Sequence, residues 1–159
     1  MRALTPTPLA PEAFAPYGDV IWANPATALP INYGATTRFD GLAEVAVGAG
    51  QAIISVFRST PLAPLELKIM ERHPLGSQAF VPLSGRPYLV VVAPAGDLDP
   101  GAIRAFLATG DQGVNYAPGV WHHFLLALEG VSDFLVVDRA GPGDNCDEVE
   151  LAEVLTITL

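Results

Sequence analysis

The chain reads as an all-β protein, a sandwich or closed barrel with one short helix near its start. Short apolar and β-branched runs recur at even spacing, Gly- and Pro-rich turn clusters separate them, and almost no segment has helical periodicity. At 159 residues with 50% apolar composition, the chain is the size of one domain with a sizeable core. No internal repeat, linker or low-complexity run divides it, so residues 1–159 are read as a single domain.

Residues 9–18 form the expected helix, with Pro11 in its first turn and Pro16 and Gly18 ending it. Residues 18–22 follow as a strand and 24–30 as a loop, while Asn32 and Gly34 mark 31–39 as irregular or an edge strand. Residues 42–47 and 52–58 are β-branched and apolar on either side of Gly48-Ala-Gly50, which predicts a hairpin. A connector at 61–64 leads to strands at 65–73, 78–83 and 87–92, the last two turning at Gly85. Residues 94–101 are a surface loop, and 103–108 fit helix or strand by pattern. Strands at 113–116, 123–128, 132–138 and 149–159 complete the set, with a turn cluster at 141–145.

Composition excludes several classes of function. A net charge of -9, with only 8 Lys and Arg spread singly, argues against nucleic acid and anionic membrane surfaces. No apolar run approaches the roughly 18 residues of a membrane-spanning helix. The N-terminus lacks the apolar stretch of a secretory signal, and the single Cys146 fits a reducing compartment, so a cytoplasmic protein is expected. Cys146 itself reads as a small buried or loop thiol. Positive mean hydropathy without a membrane span implies that another subunit covers some apolar surface.

All 3 histidines fall in two segments, Glu71-Arg-His-Pro-Leu-Gly-Ser-Gln-Ala-Phe-Val-Pro-Leu-Ser-Gly85 and Ala117-Pro-Gly-Val-Trp-His-His123. On a strand, Glu71 and His73 project from one face and Arg72 from the other; His123 likewise alternates away from His122. Pro74-Leu-Gly-Ser77 breaks the strand before Gln78.

The first segment resembles the first motif of the cupin superfamily. Glu71-x-His73, four residues, Gln78, six residues and Gly85 keep that spacing, with Glu71 in place of an imidazole and Gln78 in place of a carboxylate. Pro118-Gly119-x-x-His122 approximates the second motif, its proline shifted by one residue. The fuller wording is similar to the ureidoglycolate lyase family: Phe14-x-x-Tyr-Gly-Asp-Val20, the Glu71 segment, Gln112-Gly-Val-Asn-Tyr116, Val120-Trp-His-His123, Asp133-Phe-Leu, Asp138-Arg139 and Asp144-Asn-Cys-Asp147.

That resemblance implies a cupin-type double-stranded β-helix, a jelly-roll barrel, and makes 103–108 a strand. It implies cleavage of ureidoglycolate to glyoxylate and urea in allantoin and purine catabolism, by a cytoplasmic homodimer. The reacting carbon bears a hydroxyl and a ureido nitrogen, so one group must take the hydroxyl proton and another protonate the departing nitrogen. Glu71, His73 and His122 are the expected catalytic residues: His73 the base, Glu71 its support and His122 the acid, the two imidazole roles being exchangeable. Glu71, His73, Gln78 and His122 would hold a divalent metal if one is bound, nickel being the ion the resemblance implies, although imidazole and oxygen ligands also suit manganese, zinc or iron.

The substrate carboxylate calls for a forked cation, and Arg38 and Arg58 are the candidates. Gln78, Tyr88, Asn115 and Tyr116 are candidates for the ureido group, and Asp138-Arg139 reads as a structural ion pair or subunit contact. Two alternatives use the same residues differently: a metal-dependent cupin oxygenase or isomerase, and a non-catalytic small-acid-binding cupin.

Overall fold

Strand Tyr88–Ala93 is buried at every position, because both of its faces are covered. Tyr88, Val90 and Val92 point into one apolar cluster with Phe14, Phe80, Phe106, Val114, Tyr116 and Phe134. Leu89, Val91 and Ala93 point into a second, with Leu67, Met70, Ile103, Trp121 and Leu155. Period-two alternation in an apolar run therefore serves two cores at once, each large side chain worth about 1.5–3 kcal/mol when buried.

The structure is a computed structural model describing residues 1–159. In chain order its elements are β1 (Arg2–Leu4), β2 (Thr7–Pro8), α1 (Pro11–Phe14), β3 (Gly18–Ile21), β4 (Ala28–Ile31), β5 (Thr36–Phe39), β6 (Gln51–Ser59) and β7 (Glu66–Arg72). They continue with β8 (Gln78–Pro82), β9 (Tyr88–Ala93), β10 (Arg104–Ala108), β11 (Gly113–Tyr116), β12 (Trp121–His122), β13 (Leu126–Ala127), β14 (Ser132–Ala140) and β15 (Asp147–Ile157). One sheet runs β1-β15-β7-β12-β9-β10-β2, with β13 also on β9; a second runs β3-β11-β8-β14-β6; β4 and β5 pair as a hairpin. The first apolar cluster draws side chains from both large sheets, and α1 adds Phe14 against Tyr17 and Phe106. The architecture is the expected all-β, cupin-type barrel with one short helix.

Two local expectations need correction. Residues 42–47 are not a strand. They cover the five-stranded sheet irregularly, Ala46 exchanging hydrogen bonds with Ser77 while the carbonyls of Glu44 and Val47 accept from Asn115 and Arg139. The segment expected as one strand at 123–128 is strand only at β13, because the register on β9 slips by one residue between His122 of β12 and Leu126. The 31–39 stretch is, as expected, irregular at 32–34 and an edge strand at β5, paired with β4. The N-terminal residues, assigned no structure from sequence, add β1 beside β15 and β2 beside β10.

Strand β3 must pass close under β11, and Gly18 makes that possible: a Cβ there would lie 1.8 Å from the Asn115 carbonyl oxygen, at φ +151°. Gly18→Ala is expected to cost about 3 kcal/mol and to lower Tm by about 9 °C in a calorimetric melt.

Candidate active site

Strands β7 and β12 place the two histidine segments side by side. His122 pairs directly with Glu71 across the strands, and the Gly119 amide donates to the His73 carbonyl at 3.0 Å. The rings of His73 and His122 lie 5.1 Å apart, and ligand atoms of Glu71, His73 and His122 all fall within 4.8 Å of one another. Arg72 points the other way, donating to Asp147 and the Gly96 carbonyl and stacking over Trp121. Strand parity alone separates these neighbours.

Both imidazoles have a defined tautomer. His73 Nδ1 lies 2.7 Å from the Asn145 carbonyl oxygen, which can only accept, so Nδ1 carries a proton and, in the neutral ring, Nε2 holds the lone pair. His122 Nδ1 faces the His123 carbonyl oxygen at 3.2 Å and Glu71 Oε1 at 3.8 Å, giving the same result. His73 Nε2, His122 Nε2 and Gln78 Oε1 are buried and have no hydrogen-bond partner. Burial, reinforced by His73, holds the His122 imidazole down at about 3, so the ring is neutral at ordinary pH. A neutral His122 ring favours the exchanged assignment, in which His122 is not the acid. Burial raises the Glu71 carboxyl above its ordinary range, His73 opposing and Glu148 adding to the shift.

Tyr116 stacks flat on His122, ring centroids 4.1 Å apart and planes 1° from parallel. Its phenol is held protonated by burial and by nearby Glu71. Glu71 also lines a cavity of about 270 Å³ with Phe57, Phe80 and Phe124.

The structure does not bring every candidate to this place. Arg38 lies on the exposed β5 hairpin, paired with Asp40 at 2.7 Å. Arg58 borders the Glu71 cavity, but its guanidinium grips Asp133 through two hydrogen bonds of 2.8 and 3.0 Å, so its fork is already occupied. Tyr88 is core: its hydroxyl donates to the Gln112 carbonyl and its ring packs on Phe134, four residues along β9 from the His122 partner Val92. Asn115 faces the opposite side of β11 from Tyr116 and donates to the Glu44 carbonyl. Asp138 and Arg139 make no ion pair, since adjacent strand residues diverge: Asp138 accepts from Gln78 Nε2, and Arg139 donates to the Val47 and Pro142 carbonyls. His123 turns away, its Nδ1 near the Phe124 carbonyl.

Two residues missed from sequence stand at the rim. Asn145 holds His73 through its carbonyl and accepts from the Leu75 amide through Oδ1. Exposed Cys146 lies within 4.8 Å of Glu71 and Glu148, its thiol raised first by burial and then by those carboxylates. The Asp144-Asn-Cys-Asp147 wording marked the position, but nothing local tied it to Glu71.

A cupin-type β-barrel with one carboxylate and two imidazoles converging inside its wall defines the class. The ureidoglycolate lyase family profile matches residues 1–158. A relative named ureidoglycolate lyase from Burkholderia mallei (strain NCTC 10229) is 56% identical over 161 residues, covering 99% of this chain and 95% of its own. Relatives of the same name from Burkholderia cepacia and Stutzerimonas stutzeri (strain A1501) are 59% and 55% identical, covering 88% and 96% of this chain and 81% and 92% of their own. The chain belongs to the ureidoglycolate lyase family.

Proposed function

We propose that this protein is a ureidoglycolate lyase, a carbon-nitrogen lyase that releases urea and leaves glyoxylate in the breakdown of allantoin and purines. The observation that supports this most is the convergence of two imidazoles with Glu71, His73 Nε2 and His122 Nε2 being buried without a hydrogen-bond partner. His73 Nε2 takes the proton of the substrate hydroxyl. The forming carbonyl expels the ureido nitrogen, and the imidazolium returns the proton to it, so one proton leaves oxygen and one reaches nitrogen. Glu71 and the Asn145 carbonyl stabilise His73 while it is charged. His122 stays neutral and accepts from a ureido N–H, and Tyr116 fixes its ring plane.

The donor set also fits a divalent cation: Glu71, His73 and His122 converge, and Gln78 Oε1 is an unpartnered buried acceptor. A cation held there, nickel being the one implied by the family, would supply positive charge to the substrate oxygens. The His73 lone pair cannot serve as ligand and base together. Turnover in the presence of a chelator therefore separates the two uses.

The test is a coupled assay for both products. Glyoxylate and urea are expected in equal amounts; ammonia in place of urea, or no turnover, would sink the reading. We also place the enzyme in the cytoplasm as a homodimer of one cupin-like domain. Edge strand β6 supports the dimer, because Ile54 and Val56 are 72% and 57% exposed on a strand paired on one side only.

A further inference from the structure

We infer that Asp138 is a positioning residue that makes Gln78 an obligate hydrogen-bond acceptor in the barrel interior, and so selects ligands that present an amide-type N–H there. The inference deepens the lyase reading and rests on it for its substrate. Gln78 lies between Tyr116 of β11 and β14, where the register puts it across from Asp138. Its face of β8 is the one that carries Phe80 into the interior, and Tyr116 beside it is the ring stacked on His122. Gln78 is 6% exposed, and its side chain reaches Asp138 Oδ2 at 3.0 Å.

An amide can present either end, and its two ends look alike. The contact settles the matter: the Gln78 NH₂ group donates to Asp138 Oδ2 at 3.0 Å, and the carbonyl faces away. Asp138 makes no salt bridge and has no other side-chain hydrogen bond, so this contact is its defined role. What it leaves is Gln78 Oε1, buried and unpartnered, on the strand face that meets Tyr116, the ring stacked on His122. A buried acceptor without a partner favours a ligand that brings a donor to it. A ureido group offers an N–H beside the reacting carbon and an NH₂ at its end, whereas an ester or a second carboxylate would leave lone pair against lone pair.

Asp138→Asn removes the constraint at nearly constant volume, since an asparagine accepts or donates and lets Gln78 turn over. The expected result is a KM for ureidoglycolate raised about tenfold with kcat within about threefold, the loss of one buried hydrogen bond. Gln78→Ala should show the same split. The double variant should be no worse than Gln78→Ala, because Asp138 acts through the amide. Additive losses, or a fall in kcat at unchanged KM, would overturn the inference.

A second measurement needs neither substrate nor the Asp138 variant. The glutamines are Gln51, Gln78 and Gln112, so the Gln78 side-chain NH₂ signals in a ¹⁵N-glutamine spectrum can be assigned by elimination with Gln51→Ala and Gln112→Ala. One protected, downfield Gln78 proton is expected; exchange as fast as that of exposed Gln51 overturns the assignment. If the wild type releases no urea, the proposed function fails while this readout still decides the orientation.

Discussion

Replacing His73 by asparagine should lower the rate of urea and glyoxylate release by about 10³-fold, the usual weight of a positioned base. Asparagine is the informative choice, because its amide nitrogen can stand where Nδ1 stands. The hydrogen bond to the Asn145 carbonyl, 2.7 Å in the native chain, is then kept while the Nε2 lone pair disappears. Thermal unfolding should move by only a degree or two, and His73→Ala should be equally inactive and slightly less stable. Wild-type turnover in His73→Asn would remove the imidazole from the chemistry, whether it acts as base or as ligand.

Stability should fall steeply as pH drops from about 6.5 toward 4. His122 holds its proton only below about 3 in the fold, against 6.5 when exposed. Between those values the unfolded chain binds a proton that the folded chain refuses, so acid favours unfolding, by about 1.4 kcal/mol per pH unit across that window. His123, also lowered by burial, adds in the same direction. Glu71 opposes both: its raised carboxyl stabilises the fold at low pH, and that contribution is lost as pH rises through its folded value. The fall of His122 to about 3 is the large shift and sets the sign. Melting curves between pH 7.5 and 4, with chelator present, should show this slope, and His122→Asn should flatten it. Parallel slopes for the two proteins would mean that His122 is not held neutral by burial.

Much of the site was legible because strand parity is local. Period-two alternation is enough to put Glu71 and His73 together, to send Arg72 away and to separate His122 from His123, and the coordinates keep each of these relations. The barrel class was legible for a similar reason, since short apolar runs between turn clusters recur throughout. The arginines were not legible. A guanidinium reads alike whether it awaits a substrate or grips a neighbour, and the partners of Arg38 and Arg58 depend on loop course and cross-strand register. Residues 42–47 mislead for a related reason: their β-branched pattern is that of a strand, yet no strand lies beside them to complete the ladder.

The sequence by itself therefore determined the all-β class, the short N-terminal helix, the facing of each histidine and the distant pairing of two motifs, all consequences of chemistry within a few bonds. Only the tertiary structure decided that Asn145 orients His73, that Tyr116 clamps His122, that Asp138 turns Gln78, and that Arg58 belongs to Asp133. Those are contacts between residues 6 to 75 positions apart, made or refused by strand order and register, which no local pattern encodes.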